Sequence, residues 1–350
     1  MGNISITIDG SKVSGREGMT ILEVARDNGI YIPTLCHSPV LTPIGACRVC
    51  VVEVEGSGTL VGSCHTPIAQ GMVIYTHSPK VVEARRAIVE LLLASHPDNC
   101  LVCDKANLCE LRKIAADLGV GLPRFRAKKR YYPIEDTNPF IERDLTKCIL
   151  CGKCIRACQE LSVVGAIDYA YRGFQSKPAT LLDQPLEKSS CEFCGLCVSM
   201  CPVGALSDRP AKYKWKTTRK VRTICPYCGC GCGVELNVRD QEVISVTPDG
   251  ENPVNQGRLC VKGRYGLNFI NHPDRLKAPL IRKNGELTES SWEEALDFVA
   301  HKLEEIKQKY GSDSLAGLSS SKCTNEENYL MQKFMRAVIG TNNIDNCARL

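Results

Sequence analysis

A doubled cysteine rhythm constrains this chain more than any other feature. Cys148, Cys151, Cys154 and Cys158 stand as C-x2-C-x2-C-x3-C, and Cys191, Cys194, Cys197 and Cys201 repeat it, with Pro202 after the last. Zinc sites use C-x2-C pairs, but the x2, x2, x3 rhythm is not a usual zinc spacing; it suits a ligand run for [4Fe–4S] clusters. The chain holds 22 cysteines, and all but Cys230, Cys323 and Cys347 fall into five such closely spaced sets. In a short secreted chain this density would mean a disulfide framework. Residues 1–10 (MGNISITIDG), however, alternate as a strand does, with neither a basic nor an apolar leader segment. The Arg85-Arg86 pair lies too far inside to be a twin-arginine signal. The longest apolar stretch, Ala87 to Ala94, is broken by Glu90 and too short to span a bilayer. The expectation is therefore a cytoplasmic, reducing setting, no membrane span, and cysteines used as metal ligands. With 350 residues and only 6% aromatics, several small modules fit better than one large core.

The doubled run resembles that of two-cluster ferredoxins, in which the fourth cysteine of each run binds the other cluster. One cluster is then expected on Cys148, Cys151, Cys154 and Cys201, and a second on Cys191, Cys194, Cys197 and Cys158. Gly152, Gly195 and Gly204 suit loops whose N–H groups approach sulfur, and Gln159 replaces the proline that follows Cys201 in the second run. Upstream, Ile4, Ile6 and Ile8 alternate, Asp9-Gly10 turns the chain, and a second strand begins near Lys12. Thr20 with Glu23 opens a helix ending near Gly29. Cys36, Cys47, Cys50 and Cys64 follow as C-x10-C-x2-C-x13-C, four loop thiolates that suit a [2Fe–2S] rhomb. This segment resembles the β-grasp [2Fe–2S] domain of NADH-dehydrogenase large subunits, iron hydrogenases and some formate dehydrogenases. A helix from Ser78-Pro79 to about Ser95 leads to His96, Cys100, Cys103 and Cys109. A lone histidine is ordinarily structural, but this one precedes three cysteines that lack a fourth. The set resembles the [4Fe–4S] site of one histidine and three cysteines in the same families, where a neutral imidazole tends to raise the potential.

The fifth set is Cys225, Cys228, Cys232 and Cys260, in CPYCGCGCG and GRLCVKG. Its spacing alone leaves a zinc ribbon open. It resembles the [4Fe–4S] domain of molybdopterin oxidoreductases, and Lys262 matches the lysine that relays electrons between cluster and pterin in formate dehydrogenases and periplasmic nitrate reductases. Cys230, Cys323 and Cys347 have no partners at metal spacing and are expected to be structural thiols. The basic runs Arg124 to Arg130 and Lys212 to Arg222 are expected as solvated connectors, the alternative being that they offset cluster charge or meet an acidic partner. The net charge of +5 gives no ground for nucleic acid.

From about residue 271 the cysteines thin out. Ser291 with Glu294 opens a helix to about Tyr310, with Leu296, Val299, Leu303 and Ile306 on its apolar face. A strand near Leu315 to Leu318 follows, then Thr324 with Glu327 opens a helix that ends at Gly340, the order of a doubly wound domain. HPDRLKAPLIR and RAVIGTNNIDNCARL resemble the front of the molybdopterin domain of formate dehydrogenase catalytic (alpha) subunits of the cytosolic, NAD-linked or hydrogenase-linked type. There, the segment matching Asn346 to Leu350 precedes the catalytic cysteine or selenocysteine, so that ligand is expected immediately after Leu350, with a UGA codon read as stop.

The expected architecture is an α+β multi-module iron–sulfur protein. It comprises a β-grasp [2Fe–2S] domain (1–80), a helical [4Fe–4S] domain with one His and three Cys ligands (81–120), a linker (121–142) and a two-[4Fe–4S] ferredoxin domain (143–210). A basic linker (211–221), a small β-rich [4Fe–4S] domain (222–276) and an incomplete α/β molybdopterin domain (277–350) complete it. The resemblance implies one [2Fe–2S] and four [4Fe–4S] clusters, with molybdenum or tungsten bis-pterin guanine dinucleotide in the full-length enzyme only. It implies oxidation of formate to CO2 in an anaerobic setting, with electrons leaving to a flavin subunit that reduces NAD, a ferredoxin-linked subunit or a hydrogenase. The 350 residues alone are expected to carry electrons without turning over formate. The alternatives are a standalone iron–sulfur carrier, an NADH dehydrogenase large subunit, disfavoured by the complete two-cluster repeat, and an iron hydrogenase relative, disfavoured by too few late cysteines.

Overall fold

The computed structural model describes residues 2–214 and 217–347 and divides into two compact units, Met1–Tyr213 and Lys214–Leu350. Outside the described residues lie Met1, Trp215 and Lys216 of the second basic run, and Ala348 to Leu350 at the end of the segment compared with formate dehydrogenases.

In the first unit the alternation of Ile4, Ile6 and Ile8 becomes β1 (Asn3–Ile8), which turns at Asp9-Gly10 into β2 (Ser11–Arg16). The Thr20–Glu23 capping box is formed in both directions and starts α1 (Ile21–Asp27). β3 (Val51–Val54), β4 (Val61–Gly62) and β5 (Val73–Tyr75) complete a mixed sheet in the order β2-β1-β5-β3-β4, with β1 and β5 parallel. Its core is Ile6, Ile8, Ile21, Leu22, Val24, Val52 and Ile74. Each such side chain contributes about 2 kcal/mol on leaving water. Cys50 and Cys64 are part of this core, so the hydrophobic packing itself anchors two of the candidate ligand cysteines.

α2 (Pro79–Ser95), capped by Ser78, packs near β3 and α3 (Glu110–Asp117). β6 (Ile141–Arg143) pairs with β9 (Leu206–Asp208) and closes the doubled segment. Between them lie α4 (Lys153–Arg156), the hairpin of β7 (Asp168–Ala170) and β8 (Lys177–Ala179), and α5 (Leu196–Met200).

The second unit opens with a three-stranded meander, β10 (Arg219–Ile224), β11 (Gly233–Arg239) and β12 (Glu242–Pro248), followed by α6 (Val261–Tyr265). A hairpin of β13 (Leu280–Lys283) and β14 (Glu286–Glu289) precedes α7 (Trp292–Tyr310). Ser291 accepts from Glu294 N–H, but the Glu294 carboxylate pairs with Lys283 at 2.5 Å. Leu296 and Val299 on α7 are exposed. β15 (Gly317–Ser319), α8 (Asn325–Lys333) and β16 (Ile344–Asn346) form a strand–helix–strand turn whose two strands are parallel, the geometry that opens a doubly wound sheet. Past Lys333 the helix continues as a π-turn to Ile339 and ends on left-handed Gly340. Among the described residues no helix is long and apolar enough to cross a membrane.

Candidate metal centres

The doubled rhythm folds into two equivalent loops. Leu150 and Phe193 occupy left-handed backbone at φ 55° and 51°, and Gly152 and Gly195 follow at 68° and 73° as the N-caps of α4 and α5. Non-glycine residues reach that region at a cost, which ligand loops tolerate. The turn swings Leu150 N–H to 3.4 Å from Cys148 Sγ and Phe193 N–H to 3.4 Å from Cys191 Sγ. Gly204 lacks this conformation. Its reason is space: a Cβ there would stand 2.5 Å from Cys103 Sγ.

The two runs exchange their last members. Cys201 joins Cys148, Cys151 and Cys154 around one cavity, walled by Leu145, Ile149, Ile167 and Val203. Cys158 joins Cys191, Cys194 and Cys197 around another, walled by Ile141, Val164, Leu186 and Leu196. Burial pushes the Cys148 thiol up to about 11 and Cys151 up to about 12, and raises Cys154 and Cys197 as well. Thiols sealed in apolar pockets hold their protons until a metal supplies the compensating charge. The donor set fits a soft, sulfur-ligated cluster.

In the first set all four cysteines are free thiols; Cys47 N–H donates to Cys36 Sγ at 3.4 Å, and the thiols of Cys36 and Cys47, and of Cys50 and Cys64, are hydrogen-bonded to each other. The hydrogen bonds from those partners, first among the causes, bring Cys47 and Cys50 down to about 6, while Cys36 and Cys64 are pushed up.

His96 caps the end of α2. Its Nδ1 lies 3.1 Å from the Pro97 carbonyl, while Nε2 is buried without any hydrogen-bond partner. Burial lowers its basicity. Nδ1–H donating to a carbonyl leaves the Nε2 lone pair free, the tautomer of a metal-bound imidazole. Cys100 and Cys103 both act on Cys109, whose thiol burial pushes up. Glu110 N–H donates to Pro202 O at 2.9 Å, tying this site to the loop beyond Cys201.

In the second unit, CPYCGCGC is the loop between β10 and β11: Ile224 pairs with Gly233, and Cys225 N–H donates to Cys232 O at 2.8 Å. Cys260 caps α6. Burial raises the Cys225 thiol, Cys260 and Cys228 add to the rise, and the Lys262 cation opposes it. Cys230 is exposed, with its sulfur 3.6 Å from Cys232 Sγ. Cys347 bonds to Ser320 and Ser321, which bring its exposed thiol down to about 7, so it is no buried structural thiol.

The basic runs are not free connectors. Arg124 pairs with Glu90 through both carboxylate oxygens, Lys129 with Asp98, Lys212 with Glu142 and Lys220 with Glu235. Arg130 donates to the Cys148 carbonyl at 2.8 Å. Spacing did not reveal this use, nor the buried Arg85 on Val51 O and Arg156 on Cys36 O. One signal existed: Arg85 lies four residues from both Val81 and Val89 on the buried face of α2.

Fold and sites together define an iron–sulfur electron-transfer module followed by the start of a molybdopterin domain. Family profiles match in series: a 2Fe-2S iron-sulfur cluster binding domain at 2–79, the NADH-ubiquinone oxidoreductase-G iron-sulfur binding region at 85–124, and the ferredoxin-like domain of NADH-quinone oxidoreductase subunit 3 at 138–207. The molybdopterin oxidoreductase Fe4S4 domain matches 218–272 and molybdopterin oxidoreductase 275–350. The chain carries the iron–sulfur region of molybdopterin oxidoreductases, related to the G-type large component of NADH-quinone oxidoreductase and to formate-dehydrogenase-like proteins. It is 41% identical to the second G-type component of NADH-quinone oxidoreductase from Rhizobium meliloti, over 99% of this chain and 40% of the relative. It is 39% identical to the NADPH-Fe(3+) oxidoreductase alpha subunit of Geobacter sulfurreducens, again over 99% and 40%. At 34% identity, over 99% of this chain and 39% of the relative, stands a Staphylococcus aureus protein provisionally named a formate dehydrogenase. The chain thus spans about 40% of the length of these relatives. A chain of an NAD+-reducing [NiFe]-hydrogenase, crystallised in the H2-reduced state, superimposes with a TM-score of 0.57 at 29% identity, over 62% of this chain and 92% of its own. The two-cluster repeat therefore does not separate this chain from NADH dehydrogenases, because an NADH-quinone oxidoreductase profile matches that very segment.

Proposed function

We propose that the chain holds one [2Fe–2S] and four [4Fe–4S] clusters and conducts electrons one at a time between a molybdopterin centre and a redox partner subunit. The exchange of Cys158 and Cys201 between the two cysteine-lined cavities carries this reading, since each run ends in the cavity of the other, through two short segments. Cys36, Cys47, Cys50 and Cys64 hold the [2Fe–2S] centre; His96, Cys100, Cys103 and Cys109 hold one [4Fe–4S] cluster through the free Nε2. Cys225, Cys228, Cys232 and Cys260 hold the cluster that exchanges electrons with the pterin, and Lys262 is the cation at its edge. When bound, these clusters supply reversible one-electron transfer; the protein excludes water and sets their charge. Anaerobically purified chain should contain about 18 irons. A zinc content replacing that iron would overturn the assignment.

For the whole protein we propose formate/CO2 interconversion at molybdenum or tungsten. The molybdopterin profile and the Staphylococcus aureus relatives support it. The Rhizobium and Geobacter relatives favour a second reading, electron exchange with NADH or NADPH through a flavin partner. In the native complex, formate bleaching of the cluster absorbance together with molybdenum or tungsten supports the first. Bleaching by NADH or NADPH alone, with neither metal present, supports the second.

A further inference from the structure

Arg156 stands two residues after Cys154 and two before Cys158, on α4, and is 6% exposed. Its Nη1 donates to the Thr42 carbonyl and its Nη2 to the Cys36 carbonyl. One side chain of the doubled segment thus clasps the loop that bears the first ligand of the [2Fe–2S] site. Its Nε is buried and unpartnered. Among the described residues Arg156 makes no ion pair, whereas Arg124, Arg143 and Arg222 each face a carboxylate. Glu160, on the same turn, accepts from Thr42 N–H at 2.8 Å instead. Carbonyl dipoles alone do not offset a guanidinium taken out of water; such a charge persists where an opposite charge lies close.

The arrangement recurs. Arg85, 1% exposed, donates to the carbonyl of Val51, next to Cys50, and Arg130 donates to that of Cys148. Both have a buried Nε without a partner, and neither makes an ion pair among the described residues. Three arginines therefore meet the backbone at or beside candidate ligand cysteines, and a thiolate-ligated cluster held there would be a countercharge common to all three positions.

We propose that Arg156 is a positioning residue whose fixed cation, shared between the Cys36 loop and the Cys154–Cys158 turn, raises the reduction potentials of the [2Fe–2S] centre and of the cluster on Cys148, Cys151, Cys154 and Cys201. This rests on the cluster assignment above. Each centre gains one electron and one negative charge on reduction, and a nearby cation favours that state.

The test is a dithionite potentiometric titration of the full chain, followed by electron paramagnetic resonance. Arg156→Gln lowers the midpoints of those two centres by at least 59 mV, a tenfold change in the reduced-to-oxidised ratio at fixed poise. The His96 and Cys225 centres keep theirs. Arg156→Lys, which retains charge but loses the fork, keeps the parental midpoints. Unchanged midpoints in Arg156→Gln, a common shift of every centre, or an equal fall in Arg156→Lys overturns the proposal. If Arg156→Gln takes up no iron, the neutral Arg156→Met decides: a fall of at least 59 mV in those two midpoints supports the inference and parental midpoints overturn it. Failure of the cluster assignment itself is distinguishable, because the parent chain then shows no [2Fe–2S] signal.

Discussion

Gly204 faces Cys103 so closely that a methyl group on its Cα would stand 2.5 Å from the sulfur. The contact joins the loop after Cys201 to the His96 site. Gly204→Ala should displace Cys103 and cost that site its cluster, about four irons per chain, while the other centres load. Iron analysis with electron paramagnetic resonance of the reduced chain reads this; full iron content with an unaltered spectrum would refute it.

His96 presents a buried, unpartnered Nε2. His96→Cys should retain the iron and lower that centre's midpoint, because a thiolate adds the negative charge that neutral imidazole lacks. His96→Ala should lose the cluster. A potentiometric titration of the three chains distinguishes a ligand from a helix-end residue, for which His96→Ala would leave the signal intact.

The crossed sets make a reciprocal prediction. Cys201→Ser should perturb the centre on Cys148, Cys151 and Cys154, and Cys158→Ser the centre on Cys191, Cys194 and Cys197. Cys230→Ser should leave all five intact. Mössbauer spectra of the three variants show which cluster each change reaches, and damage confined to a cysteine's own run would exclude the crossing.

Glu235 on β11 bonds to Lys220, which holds its carboxyl below the ordinary range against a burial effect that opposes it. A carboxylate whose folded pKa is depressed stabilises the fold above the unfolded value, near pH 4, and loses that contribution as pH falls through the folded one. Glu235→Gln should therefore lower stability at pH 7 by about 0.5 kcal/mol, with the two chains converging as the pH falls through the depressed folded-state value. Urea melts followed by circular dichroism across that range would show it; a difference that grows in acid would reverse the assigned sign.

Local chemistry was legible in the chain. The Thr20–Glu23 and Thr324–Glu327 boxes start helices where they stand, and the alternation of Ile4, Ile6 and Ile8 is a strand, because capping and side-chain alternation depend on a few neighbouring residues. Cysteine spacing pointed to the two cysteine-lined cavities for a similar reason: three of the four cysteines around each come from one short loop. The partner of each loop's fourth cysteine was readable only through a general rule about doubled runs. The Ser291–Glu294 box formed on one side only, since Lys283 from the preceding hairpin captured the glutamate.

What tertiary structure alone decided is where charge and space are shared between segments far apart in sequence. Nothing in the spacing places Arg156 on the Cys36 carbonyl or Gly204 against Cys103, and the basic runs looked like connectors until folding brought Glu90, Asp98 and Glu142 to them. A ligand motif is local because metal–sulfur bonds are short. The electrostatic field around a cluster is not local, because its sources arrive from every element that packs against it.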